Sequence, residues 1–499
     1  MSRVVVIGAG IGGMSAAARL AKMGHSITVF ESSNYVGGKC RTEWIGNYAF
    51  DTGPTLLTLP AVYRDFFLKT GDTLESVLDL ERVDPSFDYR FMDGSDVQFA
   101  NLSRFETLKQ IEKSFGTQSK SEWNQLMLRA ESMWDVSRES FIESEIQSLI
   151  SLMKNSHFFR DLKTIAPWKS LRTLTQQFTQ DYRLQYIAER YATYSGSDPR
   201  KAPAALLSIA FIEEAFGAWH IKGGVGQLAN AIHHRAVELG VQFHLATRVI
   251  EISHNGSKAN GILLEDGRKI PADIVIANAD ASQVYSSLLK NNLRVLNKPR
   301  RSINRSIPSF GGFSLLLGLK KDSESPRINH HTILFPADYN EEFESIFTHF
   351  SPVENPTIYI CAPNDPLMVK KAGIESWSVL VNAPRHSTSG SGWNWNNKKF
   401  TEPYAEKIID QIESRGIRVR NRLELLKIRT PADLERETLS PGGSIYGTSS
   451  NGVRAAFSRT KNRSPLSGLF CVGGSAHPGG GLPLVGISAE IVADAIGRV

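Results

Sequence analysis

Cysteine is scarce in this sequence. Its only three cysteines, Cys40, Cys361 and Cys471, are widely spaced and odd in number, so they support neither a disulfide framework nor a metal cluster. No uninterrupted apolar run reaches the ~20 residues that a membrane-spanning helix needs. The first strand signal begins at Val4, which leaves no room for a signal peptide. We therefore expect a cytoplasmic protein that is soluble or attached to a membrane surface.

Acidic residues are missing from one long stretch. Between Ala281 and Lys320 there is no Asp or Glu, and a second stretch, Phe141 to Phe178, alternates apolar with basic residues. Such patterns are typical of segments on anionic lipid headgroups, but also of solvated helix faces over a core, which we favour for either stretch alone. Nucleic-acid binding is the least supported option, because no basic motif with interleaved aromatic residues accompanies the charge. The basic residues of the first stretch are Lys290, Arg294, Lys298, Arg300, Arg301 and Arg305.

Glycine, in contrast, is concentrated near both ends of the chain. Close to the N terminus, an apolar run at Val4–Ile7 precedes Gly8, Gly10, Gly12 and Gly13. The run predicts a buried parallel strand. The glycines permit a tight turn, a close approach of the backbone to a pyrophosphate and close packing of the next helix. The N-terminus of that helix favours phosphate, so this segment predicts a dinucleotide site.

An acidic residue supports this interpretation. Glu31 ends the next predicted strand, Ile27–Phe30, where a carboxylate can accept hydrogen bonds from ribose hydroxyls. A lone Gly-x-Gly-x-x-Gly is weak evidence. Here it occurs in the order strand, turn, helix, strand and acid, which favours dinucleotide binding over a chance glycine-rich loop.

The second glycine cluster lies at the C-terminal end. Leu469–Val472 predicts a buried strand and Val485–Ile496 a helix, with the glycine- and proline-rich segment Gly473–Pro483 between them. The N–H groups at the start of that helix would face the N1/O2 edge of an isoalloxazine ring, where negative charge develops on reduction. A dinucleotide long enough to contact both ends of this chain indicates FAD rather than NAD.

A basic double-glycine segment follows the acidic residue. Gly37 and Gly38 stand beside Lys39 and Arg41, so backbone and cationic side chains can meet a phosphate there. An ordinary nicotinamide dehydrogenase does not need this second site. At this point the chain resembles the flavin-containing amine oxidase superfamily, in which such a segment follows the dinucleotide fold.

Further motifs narrow the resemblance. Asp51–Thr55, Gly223–Gly224 and Ala476–Pro483 are similar to motifs of the bacterial carotenoid desaturases of the phytoene desaturase family. Arg459–Arg463 resembles the Arg-Pro-x-Asn-Arg segment of that family, with Thr460 in place of the proline. The resemblance implies bound FAD, a hydrophobic polyene substrate, peripheral attachment at the inner face of a membrane, and a quinone or oxygen as electron acceptor.

The order of predicted elements indicates an α/β protein. We expect a Rossmann-like FAD-binding domain, a mixed-sheet substrate domain and a helical insertion. The insertion, residues 103–216, is a candidate for membrane contact. The expected boundaries are 1–75, 217–290 and 440–499 for the discontinuous FAD-binding domain, and 76–102 and 291–439 for the substrate domain.

The residues expected to bind the cofactor come from both glycine clusters, the basic segment, the motif after it and one strand near mid-chain. They are Gly8, Gly10, Gly12, Gly13, Glu31, Gly38, Lys39, Arg41, Gly53, Pro54, Thr55, Val249, Gly474, Gly481, Leu482 and Pro483. No metal site is expected and no catalytic side chain is assigned. Glu213 and Glu214 are candidates for a proton acceptor, but we favour ordinary charged positions on a helix face for both. His477 has either a flavin contact or a structural role in its loop.

Three hypotheses for the function follow. The first is an FAD-dependent carotenoid desaturase acting on a polyene such as phytoene, with a hydroxycarotenoid 3,4-desaturase as the variant that the C-terminal motif leaves open. The second is another flavin oxidase or saturase, with an amine, porphyrinogen or retinoid substrate. The third is a non-enzymatic prenyl-binding protein, which would not need a flavin-facing C-terminal motif. In a desaturase the flavin does the difficult chemistry, and the protein supplies an apolar tunnel and the orientation of the substrate.

Overall fold

The computed structural model describes most of the chain. The described residues are 1–145, 158–290, 293–322, 328–452 and 459–499. Part of the basic amphipathic stretch from Phe141 to Phe178 therefore lies outside the described residues.

Strands occur in the N-terminal, middle and C-terminal parts of the chain. Among the described residues they are β1 Arg3–Ile7, β2 Ser26–Phe30, β3 Thr42–Ile45, β4 Tyr48–Asp51, β5 Leu57–Thr58, β6 Leu80–Arg82, β7 Phe87–Arg90, β8 Asp96–Phe99, β9 Ala218–Ile221, β10 Gln242–His244, β11 Val249–His254, β12 Ala259–Leu264, β13 Lys269–Pro271, β14 Ile274–Ala277, β15 Gly311–Lys320, β16 His331–Leu334, β17 Ile358–Cys361, β18 Ile374–Ala383, β19 Leu423–Arg429 and β20 Leu469–Cys471.

Helices connect and cover these strands. In the described ranges the α-helices are Ile11–Lys22, Ala61–Thr70, Leu74–Val77, Arg104–Phe115, Thr117–Ser137, Phe158–Ile165, Leu171–Phe178, Tyr182–Arg190, Ser208–Phe216, Gly226–Glu238, Ala281–Gln283, Asn297–Arg305, Asn340–Glu344, Lys398–Glu413, Pro431–Thr438 and Leu482–Ile496. Short π-helical turns are Arg138–Ile142, Val284–Leu288 and Ser345–His349. Short 3₁₀ helices are Tyr191–Ser195, Ala204–Leu207, Arg294–Leu296, Pro366–Met368, Arg420–Arg422 and Pro441–Gly443.

A parallel sheet in the order β10-β2-β1-β14-β20 joins distant parts of the chain. Val4 pairs with Ile27 on one side and with Ile274 on the other, and Ile276 pairs with Phe470. Near-continuous apolar runs are what a sheet covered on both faces requires, and all of Val4–Ile7 is buried. The sequence prediction that both ends of the chain meet in one Rossmann-like sheet is confirmed.

The N- and C-terminal helices pack against this sheet as neighbours. Both Ile11–Lys22 and Leu482–Ile496 contribute residues to one apolar core. Val6 and Leu20 are fully buried in it, and so is Val492. The packing places the N-termini of the two helices at the same edge of the sheet, next to the ends of β1 and β20.

A second sheet is mixed, as the sequence predicts. Its order is β19-β15-β18-β17-β16-β7-β8. The pairs are antiparallel except β16 with β7, which is parallel. β15 and β18 pair along ten residues each, from Gly311 opposite Ala383 to Lys320 opposite Ile374.

The segment between β8 and β9 is helical in its described parts, 104–145 and 158–216, which contain no strand. Its first helix begins after Ser103, whose hydroxyl accepts a hydrogen bond from the Glu106 N–H at 3.3 Å, as an N-cap does. Throughout the described part of the chain, no helix combines the length and apolar character that crossing a membrane requires.

Candidate functional site

The two glycine clusters line one cavity of about 630 Å³, a volume in the usual range for ligand pockets. Gly8, Gly10 and Gly12 reach it from the N-terminal loop, and Gly474 and Gly481 from the C-terminal loop. The sequence places these residues more than 450 positions apart, and the parallel sheet brings them together. The cavity is therefore the candidate cofactor site.

Asn278 holds the two glycine loops together. It follows β14, and its N–H donates to the Ile7 carbonyl at 2.8 Å. A Cβ added to Gly10 would lie 2.6 Å from Asn278 Nδ2, and a Cβ on Gly12 would lie 2.9 Å from Asn278 Oδ1. These glycines therefore let the backbone fold tightly around the Asn278 side chain and leave the cavity open. Asn278 also lines the cavity, a position that the sequence analysis did not identify.

Gly13 faces away from the cavity. A Cβ at this position would lie 2.3 Å from the Gly8 carbonyl oxygen. The first turn of the helix Ile11–Lys22 consequently rests directly on the loop that precedes it. This is the packing role expected for the last glycine of the motif.

Glu31 sits at the end of β2 with its carboxylate fixed by backbone groups. Oε2 accepts a hydrogen bond from the Ala9 N–H at 2.7 Å, and Oε1 accepts one from the Ser33 N–H at 2.9 Å. Glu31 and Val249 both line the cavity. The carboxylate is thus oriented beside the glycine loop, where a ribose would be recognised.

Lys39 and Arg41, the two cations of the basic segment, lie in different environments. Lys39 lines the cavity, and its Nζ donates to the Ser444 and Ile445 carbonyls at 2.8 Å each. Burial lowers the pKa of Lys39 to about 8, while Asp280 acts in the opposite direction. Arg41 lies outside the cavity lining.

Arg41 is held by neighbours of its own. It pairs with Glu43 at 2.9 Å, and its guanidinium lies 4.1 Å from the centre of the Tyr35 ring. Tyr35 itself lines the cavity. Any contribution of Arg41 to cofactor binding therefore passes through Tyr35 in this arrangement, and its phosphate contact stays a prediction.

The segment after β4 also lines the cavity, through Gly53, Pro54 and Thr55. A Cβ on Gly53 would lie 1.8 Å from the Lys39 carbonyl oxygen, so this crossing of two backbones requires glycine. Thr55 Oγ1 lies 2.6 Å from the Tyr359 hydroxyl. This hydrogen bond joins the cofactor side of the cavity to the second sheet.

The C-terminal loop ends at a helix that opens on the cavity. Gly481 is the N-cap residue of Leu482–Ile496 with a φ of 102°, a conformation that favours glycine. Leu482 and Pro483 line the cavity, so the partial positive charge of the helix N-terminus is directed there. The N-terminus of the helix Ile11–Lys22 also opens on the cavity, so the cavity carries helix N-termini at two places, as a dinucleotide with phosphates and a reducible ring requires.

His477 has a structural role in this loop. Its Nε2 donates to the Ser144 carbonyl at 2.8 Å, and burial lowers its pKa to about 4. The His477 carbonyl accepts a hydrogen bond from Asn462 Nδ2 at 2.8 Å. Arg459 Nη1 donates to the Gly474 carbonyl at 2.6 Å. The segment that resembles Arg-Pro-x-Asn-Arg thus fixes the shape of the glycine loop.

The wall opposite the glycine loops is aromatic and apolar. Phe87, Phe310, Ile333, Leu380 and Leu434 line it. Strands β7, β16 and β18 of the second sheet supply three of these side chains. The cavity therefore continues from a glycine-lined end into an apolar chamber.

A buried charge lies in this wall. Arg190 ends the helix Tyr182–Arg190 and lines the cavity although it is 7% exposed. Its Nη2 donates to the Tyr89 hydroxyl at 2.9 Å, and its Nη1 to the Tyr194 hydroxyl at 3.1 Å. Arg190 Nη2 also lies 3.8 Å from a carboxylate oxygen of Glu213.

The two glutamates proposed as proton acceptors lie apart from the cavity lining. Glu213 is buried and accepts hydrogen bonds from the Tyr191 hydroxyl at 2.6 Å and the Tyr194 hydroxyl at 2.8 Å. Burial raises the pKa of Glu213, and Arg190 opposes that shift. Glu214 pairs with Arg104. Nothing in the local sequence marks Arg190, Tyr194 and Tyr359 as lining residues, because only tertiary packing brings their segments to one wall.

A histidine cluster lies behind Tyr359. The Tyr359 hydroxyl is 2.7 Å from His331 Nδ1, and His330 Nδ1 is 3.8 Å from Cys361 Sγ. Potential ligand atoms of His330, His331 and Cys361 lie within 4.8 Å of one another, although spacing along the sequence gave no sign of such a group. Burial lowers the pKa of His330 to about 3 and that of His331 well below its ordinary value, so both rings are neutral near pH 7.

Because these histidines are buried and neutral, we expect the free energy of unfolding to fall on acidification. The unfolded chain binds a proton to His330 below its ordinary pKa of 6.5, whereas the folded chain does so only near 3. The free energy of unfolding should therefore decrease by about 1.4 kcal/mol per pH unit for this histidine between those values. Urea unfolding of His330→Gln across pH 4 to 7 should show a correspondingly flatter dependence. His349→Gln, which changes an exposed histidine, is the control, and an unchanged slope in His330→Gln would contradict the assignment.

Comparisons with known proteins agree with this geometry. Residues 11–314 match the family described as flavin containing amine oxidoreductase. A 4,4'-diapolycopene oxygenase of Methylomonas is 30% identical, covering 99% of this chain and 98% of the relative. A 1-hydroxycarotenoid 3,4-desaturase of Flavobacterium is 31% identical, covering 99% of both chains. Among solved structures, cyclohexylamine oxidase from Brevibacterium oxydans has a TM-score of 0.63 at 15% identity, covering 99% of both chains. This structural similarity shows a shared fold.

Proposed function

We propose that this chain, which belongs to the family of flavin-containing amine oxidoreductases, desaturates a carotenoid-type polyene. It is an FAD-dependent oxidoreductase, similar over its whole length to enzymes of carotenoid metabolism. The desaturation step and the polyene are the parts that we infer. FAD, when bound, supplies a two-electron acceptor for a hydride.

One observation carries the proposal: the glycine-lined end of the cavity is continuous with an apolar chamber. A hydrocarbon chain offers few groups to grip, so apolar walls must orient it. Phe87, Ile333 and Leu380 belong to the same cavity as Gly10 and Gly474. A polyene in the chamber would therefore lie beside the cofactor end, as hydrogen transfer requires.

We assign cofactor binding to the residues that line the glycine end. Gly8, Gly10, Gly12 and Gly38 would surround the pyrophosphate, and Glu31 would accept hydrogen bonds from the ribose. The flavin would lie against the segments that contain Gly53–Thr55 and Gly481–Pro483. Two observations support this fit. The backbone at Gly10 and Gly12 has no room for a Cβ, and two helix N-termini open on the cavity. The discontinuous domain boundaries expected from the sequence belong to the same proposal.

Anaerobic reduction tests the function directly. Purified holoprotein is mixed with liposomes that carry phytoene or a later polyene. Bleaching of the flavin absorbance, together with a red shift of the polyene and a product lighter by two hydrogens, is the expected result. Reduction by amines alone would contradict the proposal, and so would failure of every polyene to reduce the flavin. Reoxidation with a quinone or with oxygen then identifies the electron acceptor.

Oxygenation of the polyene is the second candidate. Polar side chains, Arg190 and Tyr359 among them, line the otherwise apolar chamber, which an oxygen-bearing product would suit. The relatives named as oxygenase and as desaturase are about equally similar to this chain. Turnover under labelled oxygen separates the two reactions, because only oxygenation adds label to the product.

We also propose that the helix Asn297–Arg305 attaches the protein to an anionic membrane surface. None of its residues is buried, and Arg301 and Arg305 are exposed. Each basic residue near such a surface contributes about 1 kcal/mol. The double variant Arg301→Glu and Arg305→Glu should therefore bind anionic vesicles at least about 10-fold more weakly in co-sedimentation.

A charge-matched control is available on another helix. Lys398→Glu with Lys399→Glu changes the net charge equally at exposed positions of Lys398–Glu413. It should leave vesicle binding unchanged. Equal losses in the two double variants would mean that net charge, rather than the helix Asn297–Arg305, determines binding.

A further inference from the structure

Two imidazoles and one thiol come together where β16 lies beside β17. This imidazole–thiol cluster consists of His330, His331 and Cys361. His331 is the first residue of β16 and pairs across the antiparallel strands with Cys361, the last residue of β17. Side chains of directly opposed residues lie on the same face of such a pair, so the sheet itself holds an imidazole beside the thiol. His330 stands just before β16 and adds the second ring.

The three side chains are close enough to hold one ion. One potential ligand atom from each lies within 4.8 Å of the other two, and His330 Nδ1 is 3.8 Å from Cys361 Sγ. A point midway between three atoms at the largest of these spacings is about 2.8 Å from each. Zinc binds nitrogen at about 2.0–2.1 Å and thiolate at about 2.3 Å. Each ligand atom would therefore move inward by about 0.5 to 0.8 Å, which small side-chain rotations supply.

The cluster has hydrogen-bonding capacity that its surroundings leave unused. His330 Nε2 and His331 Nε2 are both buried with no hydrogen-bond partner among the described residues, and buried polar atoms in this state are rare. His331 Nδ1 is bonded to the Tyr359 hydroxyl at 2.7 Å. A ring that is oriented through one nitrogen and free at the other is the usual arrangement of a histidine that binds a metal.

A negative charge stands beside the cluster. The centre of the His220 ring lies 4.9 Å from that of His330, and His220 Nε2 is 2.9 Å from Asp365 Oδ2. Burial raises the pKa of Asp365, but its hydrogen bonds with His220 and with the Gly223 N–H outweigh burial and hold that pKa below its ordinary value. Asp365 is therefore an anion near pH 7. Together with a Cys361 thiolate it would balance the charge of a divalent ion, as a buried ion requires.

We propose that the imidazole–thiol cluster binds one zinc ion, with His330, His331 and Cys361 as its ligands. Imidazole and thiolate select zinc over Mg²⁺ and Ca²⁺, which prefer oxygen ligands. On binding, the Cys361 thiol releases its proton to solvent and a zinc–sulfur bond forms, while the ion is neither oxidised nor reduced. The sequence predicts no metal site, because spacing along the chain does not show that these residues meet across two strands.

The cluster is closed, as structural zinc sites are. His331 is fully buried at 0% and Cys361 is 3% exposed, so the ion is taken up while the chain folds rather than through the finished surface. Bound there, zinc would tie β16 to β17 directly behind Tyr359, which lines the cavity. Zinc binding depends neither on the polyene nor on its reaction. The acid dependence of stability expected for His330 applies to the metal-free chain.

The zinc content of the purified holoprotein tests the proposal. The protein is produced with zinc in the medium, passed over a chelating resin and analysed for zinc and for FAD. We expect about one zinc per chain, and a lower melting temperature after unfolding and refolding with a strong chelator. Holoprotein that contains FAD but retains no zinc would overturn the proposal and leave the proposed function standing.

Cys361→Ala removes one ligand. It should lower zinc affinity at least about 10- to 100-fold, since loss of an outer contact to a ligand already costs that much. Cys471→Ala is the matched control, because Cys471 is 2% exposed and also lies in a strand, but no potential metal ligands are grouped with it among the described residues. It should keep its zinc. Zinc bound as tightly by Cys361→Ala as by Cys471→Ala would rule out the cluster.

His330→Gln is the second variant, and it changes a half-buried ligand. Its fold should therefore tolerate the change better than that of Cys361→Ala. We expect it to keep FAD and to bind zinc at least about 10-fold more weakly than the wild type. Wild-type zinc affinity in His330→Gln would show that the ion, if retained, lies elsewhere, and the assignment would be wrong.

Discussion

We expect Gly474→Ala to lose FAD while the apoprotein stays as stable as the wild type. The new Cβ would lie 3.5 Å from Gly480 Cα and 3.9 Å from Val485 Cγ2, which are ordinary contacts. Gly474 lines the cavity, and a methyl group there occupies space that a closely packed flavin needs. Overpacking of this kind costs about 1–3 kcal/mol, which corresponds to roughly 5- to 150-fold weaker FAD binding.

Gly13→Ala provides the contrast. Its Cβ would lie 2.3 Å from the Gly8 carbonyl oxygen, and the position does not line the cavity. Its apoprotein should therefore melt at a lower temperature than the wild type. Thermal unfolding of both apoproteins, with FAD titrated by fluorescence quenching, distinguishes the two effects. If Gly474→Ala bound FAD as tightly as the wild type, the C-terminal glycine loop would not belong to the cofactor site.

The sequence predicted the parallel sheet well, because its strands carry a local signal. Val4–Ile7, Ile274–Ala277 and Leu469–Val472 are short apolar runs bounded by glycine or polar residues, which is the pattern of a strand buried on both faces. The last helix begins at Leu482 rather than at Val485 as expected. The expectation treated Pro483 as part of the loop, although proline is accommodated in the first turn of a helix, where its N–H is not needed.

The wall of the chamber could not be predicted in the same way. Arg190 lies at the end of a helix, Tyr339 before another helix and Tyr359 within β17. Each looks ordinary in its local sequence, and only the packing of the helical segment on the second sheet makes them neighbours. The glycine residues of the candidate cofactor site were easier to identify, because the tight turn, the close backbone approach and the helix N-terminus are properties of consecutive residues.

The other large effect concerns the buried charge behind this wall. We expect Glu213→Leu to lower the free energy of unfolding by about 3–5 kcal/mol, since removing one partner leaves the buried charge of Arg190 uncompensated. Two tyrosine hydroxyls, those of Tyr191 and Tyr194, also lose their acceptor. Urea unfolding of the apoprotein measures the change.

The next residue along the chain is the matched control. Glu214 pairs with Arg104, whose side chain is 25% exposed, so solvent compensates for part of the lost interaction. Glu214→Leu should therefore cost clearly less than Glu213→Leu, on the order of 1 kcal/mol. Equal losses in the two variants would mean that burial does not isolate the pair formed by Arg190 and Glu213.

Removing both charges tests why the pair exists. Well-packed apolar replacements for a buried ion pair are often neutral for stability, so Arg190→Met combined with Glu213→Leu should recover much of the stability that Glu213→Leu loses. If the double variant instead lost as much stability as the two single variants together, the two residues would act independently.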